Sequence, residues 1–265
     1  MEKPLTIQEA YKDLLDQDLI EPIRMLLDRG VYKFNPAGKL EADLRVKPET
    51  PWVHIRQDPL KNCGLWHQIW FNYYNIVPSY CQNCWKVVAR PTTLTEMFVL
   101  YEIMRGLDLP SKLGIERRYS VPALYGAYFY NNSPEEGQRC FEDIQRICHD
   151  RIGPHVKVIL KRGCTEFEHK FGDSSKWEVT ENQKQLERRL EDLFAEQPKI
   201  HDQGPELIRH IMANWVRFAY AQGDPTASEF SSKPIYPPYV TYHKGPESVE
   251  CGRDYADIQK PDEAA

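Results

Sequence analysis

The sequence predicts an α+β fold whose core, from about 85 to 164, is a ferredoxin-like β-α-β-β-α-β sandwich. Three observations predict it. "WKVVARP", "KLGIERR", "YGAYFYN" and "HVKVILKRGC" read as strands, with the branched, aromatic and small residues that suit a pleated surface. Apolar residues at helical spacing fall after the first strand and after the third, and both helices open with a marked N-terminal cap. Helical N- and C-terminal extensions and a long extended C-terminal tail are expected around this core. The expected organisation is a helical, aromatic-rich segment over 1–84 that contributes metal ligands, the sandwich over 85–172, C-terminal helices packed on it over 173–223, and an extended tail over 224–265. With 265 residues these parts fit one integrated domain.

In chain order, Thr6-x-x-Glu9 is a capping box ahead of "IQEAYKDLLDQ". "LIEPIRMLLDRG" reads as a second helix that stops at Gly30. Residues 31–60 are polar and broken by prolines, and read as an extended crossing segment. "CGLWHQIWFNYYNIVPSYC" follows, an aromatic stretch expected to be partly helical and largely buried. Within the sandwich, Pro91 follows the first strand, and Thr93-x-x-Glu96 caps a helix with Leu94, Met97, Phe98, Leu100, Tyr101 and Met104 at apolar positions. Alternation along the third strand puts Tyr128 and Tyr130 on one face and Tyr125 and Phe129 on the other. Ser133-Pro134-Glu135-Glu136 starts the second helix, whose apolar face is Cys140, Phe141, Ile144, Ile147 and Cys148. Beyond the sandwich, Thr180-x-x-Gln183 caps a helix carrying Leu186, Leu190, Leu193 and Phe194. "GPELIRHIMANWVRFAYAQGD" carries Leu207, Ile208, Ile211, Met212, Trp215 and Phe218.

Thirty-four basic against 39 acidic residues give a net charge of −5, which excludes a general attraction to nucleic acid or anionic lipid. No apolar run approaches the roughly 20 residues that span a bilayer, and "MEKPLTIQEAYKDLL" lacks the basic and apolar regions of a signal peptide. The expected location is cytoplasmic, with no membrane partner. In a reducing compartment, seven cysteines, an odd count, read as metal ligands or buried thiols rather than disulfides.

The pair in "CQNC" has the spacing with which two thiolates meet one ion or cluster. In the predicted topology the first and last strands are antiparallel neighbours. Cys81 and Cys84, just before the first strand, should therefore meet Cys164, just after the fourth. Cys63 from the aromatic segment supplies a fourth sulfur. Four thiolates suit an iron–sulfur cluster or zinc. One C-x-x-C knuckle with two distant cysteines suits a [4Fe–4S] cluster better, because thiolate zinc sites commonly use two knuckles. Three alternatives stand beside this reading. Cys63 and His67, at i and i+4, could join Cys81 and Cys84 in a Cys₃His zinc site. His67 also reads as a hydrogen-bonded core histidine, and the thiols as buried and metal-free. A thioredoxin-like dithiol fits poorly, because the pair precedes a strand rather than opening a helix. Cys140 and Cys148, about 12 Å apart along a helix, cannot bridge and suit core packing. Cys251 lies in the tail.

The same topology brings Arg117, Arg118, Lys161 and Arg162 to this edge as an anion-binding rim for a small anionic molecule, or as the solvated face of edge strands. Glu166, Glu168 and His169 are candidate proton-transfer residues, or ordinary loop residues. No G-x-G-x-x-G, Walker loop, G-x-S-x-G or H-E-x-x-H occurs. A cluster closed by four thiolates favours a structural or electron-transfer role, with a redox or biosynthetic enzyme as the wider class. Two further functions compete. One is a zinc-stapled module that stacks single-stranded nucleic acid on the aromatics of the third strand, Tyr128 and Tyr130 on one face or Tyr125 and Phe129 on the other. The other is a protein-interaction scaffold using the tyrosine- and proline-rich tail.

Overall fold

Period-two alternation in five segments builds one antiparallel sheet, and the helices between them bury one of its faces. The computed structural model describes residues 20–28, 30, 32–42, 50–56, 67–118, 121–195 and 203–235. In order these form α1 (Ile20–Asp28), β1 (Tyr32–Phe34), β2 (Leu40–Ala42), β3 (Trp52–Arg56), β4 (Trp85–Arg90), α2 (Leu94–Arg105), β5 (Ser111–Ile115), β6 (Tyr125–Asn131), α3 (Pro134–Arg151), β7 (Lys157–Arg162), α4 (Thr165–Phe171), α5 (Glu181–Glu191) and α6 (Pro205–Gln222). The five-stranded sheet has the order β3-β5-β6-β4-β7, with every neighbouring pair antiparallel.

Helices α2 and α3 start where their caps place them. Thr93 accepts from the Glu96 amide in a complete capping box, and Ser133 accepts from the Glu136 amide ahead of Pro134. Val87 and Ala89, Leu113 and Ile115, and Tyr125, Ala127 and Phe129 face the helices. There they meet Leu94, Met97, Leu100 and Met104 of α2, Cys140, Ile144 and Cys148 of α3, and Trp215 of α6 in one buried cluster. Each large apolar side chain buried here contributes about 1.5–3 kcal/mol relative to exposure. Cys140 and Cys148 are core residues, and burial pushes the Cys148 thiol up to about 11. Leu207, expected on the apolar face of α6, is instead exposed, one turn ahead of the buried Ile211.

The stretch from 31 to 60 contains more structure than a crossing segment. β1 and β2 form a hairpin whose Asn35 side chain accepts from the Ala37 and Lys39 amides, with Gly38 at φ +74. β3 adds a fifth strand to the edge of β5. Pro51 does not prevent this, because a proline immediately before a strand removes no ladder donor. The expected tail from 224 onward also begins as packed structure. Asp224 accepts from the Leu94 amide at 2.7 Å and the Tyr125 hydroxyl at 2.6 Å, and it caps the short turn Pro225–Glu229. The Thr6 capping box and residues 236–265 lie outside the described residues.

Candidate functional site: a sulfur-bearing sheet edge

β4 and β7 pair in continuous register from Trp85 opposite Arg162 to Arg90 opposite Lys157. The start of one strand therefore lies beside the end of the other, and the Gly163 amide donates to the Cys84 carbonyl at 2.8 Å. Gly163 stands at φ +65, where a Cβ would come within 2.5 Å of the Trp177 ring, so only glycine fits this turn. Cys164 follows as the N-cap residue of α4. Phe167 buries that helix, its ring 5.0 Å from Phe71 and 6.0 Å from Trp177.

Cys81 and Cys84 sit on and just after a single 3₁₀ turn, Ser79–Asn83. Cys81 belongs to a second apolar cluster with Phe167, Phe171, Trp177 and Leu186, and Cys164 packs against the same cluster. Two polar clamps hold the turn. The buried Glu187 carboxylate accepts from the Ser79 amide at 2.8 Å, from the Ser79 hydroxyl, and from Gln183 Nε2 at 2.7 Å. Arg162 donates to the Gln82 carbonyl at 2.6 Å, the Gln82 side-chain oxygen at 2.6 Å and the Ser174 carbonyl at 2.7 Å.

Lys86, only 8% exposed, donates from Nζ to Cys164 Sγ at 3.1 Å. An ammonium at that distance favours the thiolate over the thiol. Gln82 Nε2 is also buried and makes no hydrogen bond among the described residues. A buried amide donor carries a desolvation cost until it meets an acceptor. The Lys86 ammonium suits anionic sulfur at Cys164. Cys81, Cys84 and Cys164 are all described, and they do not gather as a ligand group: among the described residues no three His, Cys, Asp or Glu side chains are placed to hold one metal ion. Cys63 and Cys251 lie outside the described residues. His67 opens the π-type coil His67–Tyr74, which ends at Asn75 in a left-handed conformation, φ 63.

Of the four expected rim cations, three are engaged by protein groups. Arg118 donates to Glu116 through its backbone amide, Nε and NH2, to Tyr128 Oη at 3.0 Å, and to Glu166 at 2.8 Å. Lys161 donates to Glu168 and to Thr165 Oγ1, and Arg162 clamps the cysteine turn. Arg117 is exposed and makes no hydrogen bond or ion pair with a described residue. The strand pairing does not bring Arg117 and Arg118 to this edge. β5 runs parallel to β4, so its end, Ile115 opposite Tyr125, lies at the other end of the sheet from Trp85 opposite Asn131 and Arg162. Arg118 folds back onto Glu116 and reaches α4 only through Glu166. Burial raises the Glu116 pKa, but the hydrogen bonds and charge of Arg118 outweigh it, leaving this carboxyl below its ordinary value. Glu166, Glu168 and His169 lie on α4 rather than in a loop. The first two are ion-paired and His169 is exposed.

Sequence reasoning missed Lys86, Gln82, Glu116 and Glu187. Lys86 alone carried a signal: the alternation of β4 separates it from Val87 and Ala89, on the face that Cys164 reaches.

That second sheet face also carries aromatic rings. Trp52 and Tyr128 meet edge to face at 5.4 Å, with Lys112 Nζ 4.7 Å from the Trp52 centroid. Gly114 and Gly126 are opposite one another; a Cβ on Gly114 would strike the Pro51 carbonyl and the Trp52 ring, and one on Gly126 would crowd the Tyr128 ring. Among the described residues no helix is long and apolar enough to cross a membrane. No family model, curated protein or solved structure matches the chain.

Proposed function

We propose that the chain is a metal–thiolate protein whose centre is held by Cys63, Cys81, Cys84 and Cys164, with a [4Fe–4S] cluster as the favoured occupant and zinc as the alternative. The observation that supports this reading is the Lys86–Cys164 contact beside the β4–β7 pairing, at the strand ends next to Cys84 and Cys164. When bound, a closed four-thiolate cluster would supply a one-electron couple or a structural pin. The chain's own residues have separate tasks. Lys86 offsets negative charge at Cys164, Arg162 and Glu187 fix the turn bearing Cys81, and Gly163 lets the two chain segments approach. The strand order β5-β6-β4-β7, with α2 and α3 sharing one core cluster, supports a ferredoxin-like sandwich as the scaffold. Anaerobic purification followed by iron, zinc and acid-labile sulfide analysis tests the reading. Iron and sulfide together support the cluster, stoichiometric zinc without sulfide selects the alternative, and protein free of both rejects a metal centre.

The Trp52–Lys112–Tyr128 cluster favours a second reading, single-stranded nucleic acid binding on the sheet face. Tyr128 is nine-tenths buried, so the stacking surface would fall to the partly exposed Trp52 and Tyr130. Salt-dependent binding of single-stranded RNA that is lost in Trp52→Ala supports it; no binding at low ionic strength rejects it.

A further inference from the structure

Where the end of β5, the chain leading into β6 and the last turns of α6 meet, the surface forms an open, shallow cavity of about 630 Å³. That volume lies in the range of small-ligand sites, roughly 300–1,000 Å³. Val121, Leu124 and Phe218 supply apolar walls, and Glu116, Arg117 and Gln222 the polar ones. The Phe218 ring is set edge to face against Tyr125, with centroids 6.3 Å apart.

The polar groups are not equivalent. Glu116 has a side chain 1% exposed and is locked to Arg118, whose donors are spent on Glu116, Tyr128 and Glu166. Turning either residue toward a ligand would break a buried ion pair, which costs several kcal/mol. Arg117 and Gln222 are exposed, and neither makes a hydrogen bond or ion pair with a described residue. The cavity thus combines one available planar guanidinium and one amide with an apolar wall. A guanidinium matches a carboxylate through two parallel hydrogen bonds. A dianion would need a second available cation, and Arg118 is committed.

We propose that this cavity binds a small monocarboxylate with an apolar body, its carboxylate paired with Arg117 and hydrogen-bonded by Gln222, its body against Leu124 and Phe218. The site is separate from the sulfur-bearing edge and does not depend on a metal there.

Calorimetry and heteronuclear NMR on the full chain test the proposal, with phenylacetate as the probe and phenylacetamide as its neutral counterpart. Saturable phenylacetate binding is expected, with shifts at Arg117, Leu124 and Phe218. The amide should bind about two- to fivefold more weakly, since an exposed ion pair contributes little after solvent screening. Arg117→Ala, an exposed change expected to leave the circular dichroism and metal content unaltered, should lose the same factor, and Arg117→Lys should recover part of it. Equal affinity for the amide, unchanged affinity in Arg117→Ala, or no saturable binding would overturn the assignment.

Discussion

Lys86 Nζ lies 3.1 Å from Cys164 Sγ, although one is the second residue of β4 and the other follows the end of β7. Register explains the meeting. Lys86 stands opposite Lys161 across the β4–β7 ladder, and Cys164 is three residues beyond Lys161, past the Gly163 turn. The lysine therefore reaches the thiol from the neighbouring strand with its stem buried.

In reduced, metal-free protein, Lys86→Met should move the Cys164 thiol upward. Alkylation of Cys164 at neutral pH, followed by mass spectrometry, is expected to slow, because the thiolate loses its ammonium partner. An unchanged rate–pH profile would remove Lys86 from the site.

Gly163 and Gly172 flank α4 and both have positive φ, yet their surroundings differ. A Cβ at Gly163 would overlap the Trp177 ring, whereas nothing lies within 4 Å of one at Gly172. Gly172→Ala should cost about 1–3 kcal/mol of backbone strain alone. Gly163→Ala should cost more, about 3 kcal/mol or above, with a changed Trp177 emission. Equal losses in urea denaturation would show that Trp177 yields freely and that the turn is not fixed by this contact.

Arg118 joins the end of β5 to α4 through Glu116 and Glu166. Arg118→Met leaves the buried Glu116 carboxylate without its guanidinium, and about 3–5 kcal/mol of stability should be lost. Adding Glu116→Gln should recover part of that loss. If the double variant is no more stable than Arg118→Met, the pair is not the source of the effect.

The parts of this structure governed by local rules were legible in the sequence. Thr93, Ser133 and Thr180 cap helices where their spacing with Glu96, Glu136 and Gln183 places them, because capping is decided within four residues. The juxtaposition of residues 84 and 163 followed from strand order, which needs only the sequence of elements. What escaped were pairings between distant polar side chains. Arg118 and Arg162 read as surface cations, yet each is tied to acceptors that local patterning does not connect to it. β3 was hidden because its pairing with β5 is a tertiary contact, and "WVHIR" is too short to announce itself between prolines.

His54 lies opposite Lys112 on β3, and burial, with the Lys112 charge second, lowers its pKa to about 4. The unfolded imidazole titrates near 6.5. Between those values the unfolded chain holds a proton that the folded chain does not. This contribution is complete above about pH 6.5 and disappears as pH falls toward 4, for a loss on the order of 1–3 kcal/mol. Urea midpoints across this window should flatten in His54→Gln. A variant whose pH dependence matches the parent would place the titration elsewhere.

Metal content per chain in Cys164→Ser, beside Cys140→Ser as a core-cysteine control, tests the sulfur-bearing edge most directly. Loss of bound iron or zinc in the first variant, with retention in the second, is the expected result. Full metal retention in Cys164→Ser would contradict a centre that draws its ligands from both sides of the β4–β7 pair.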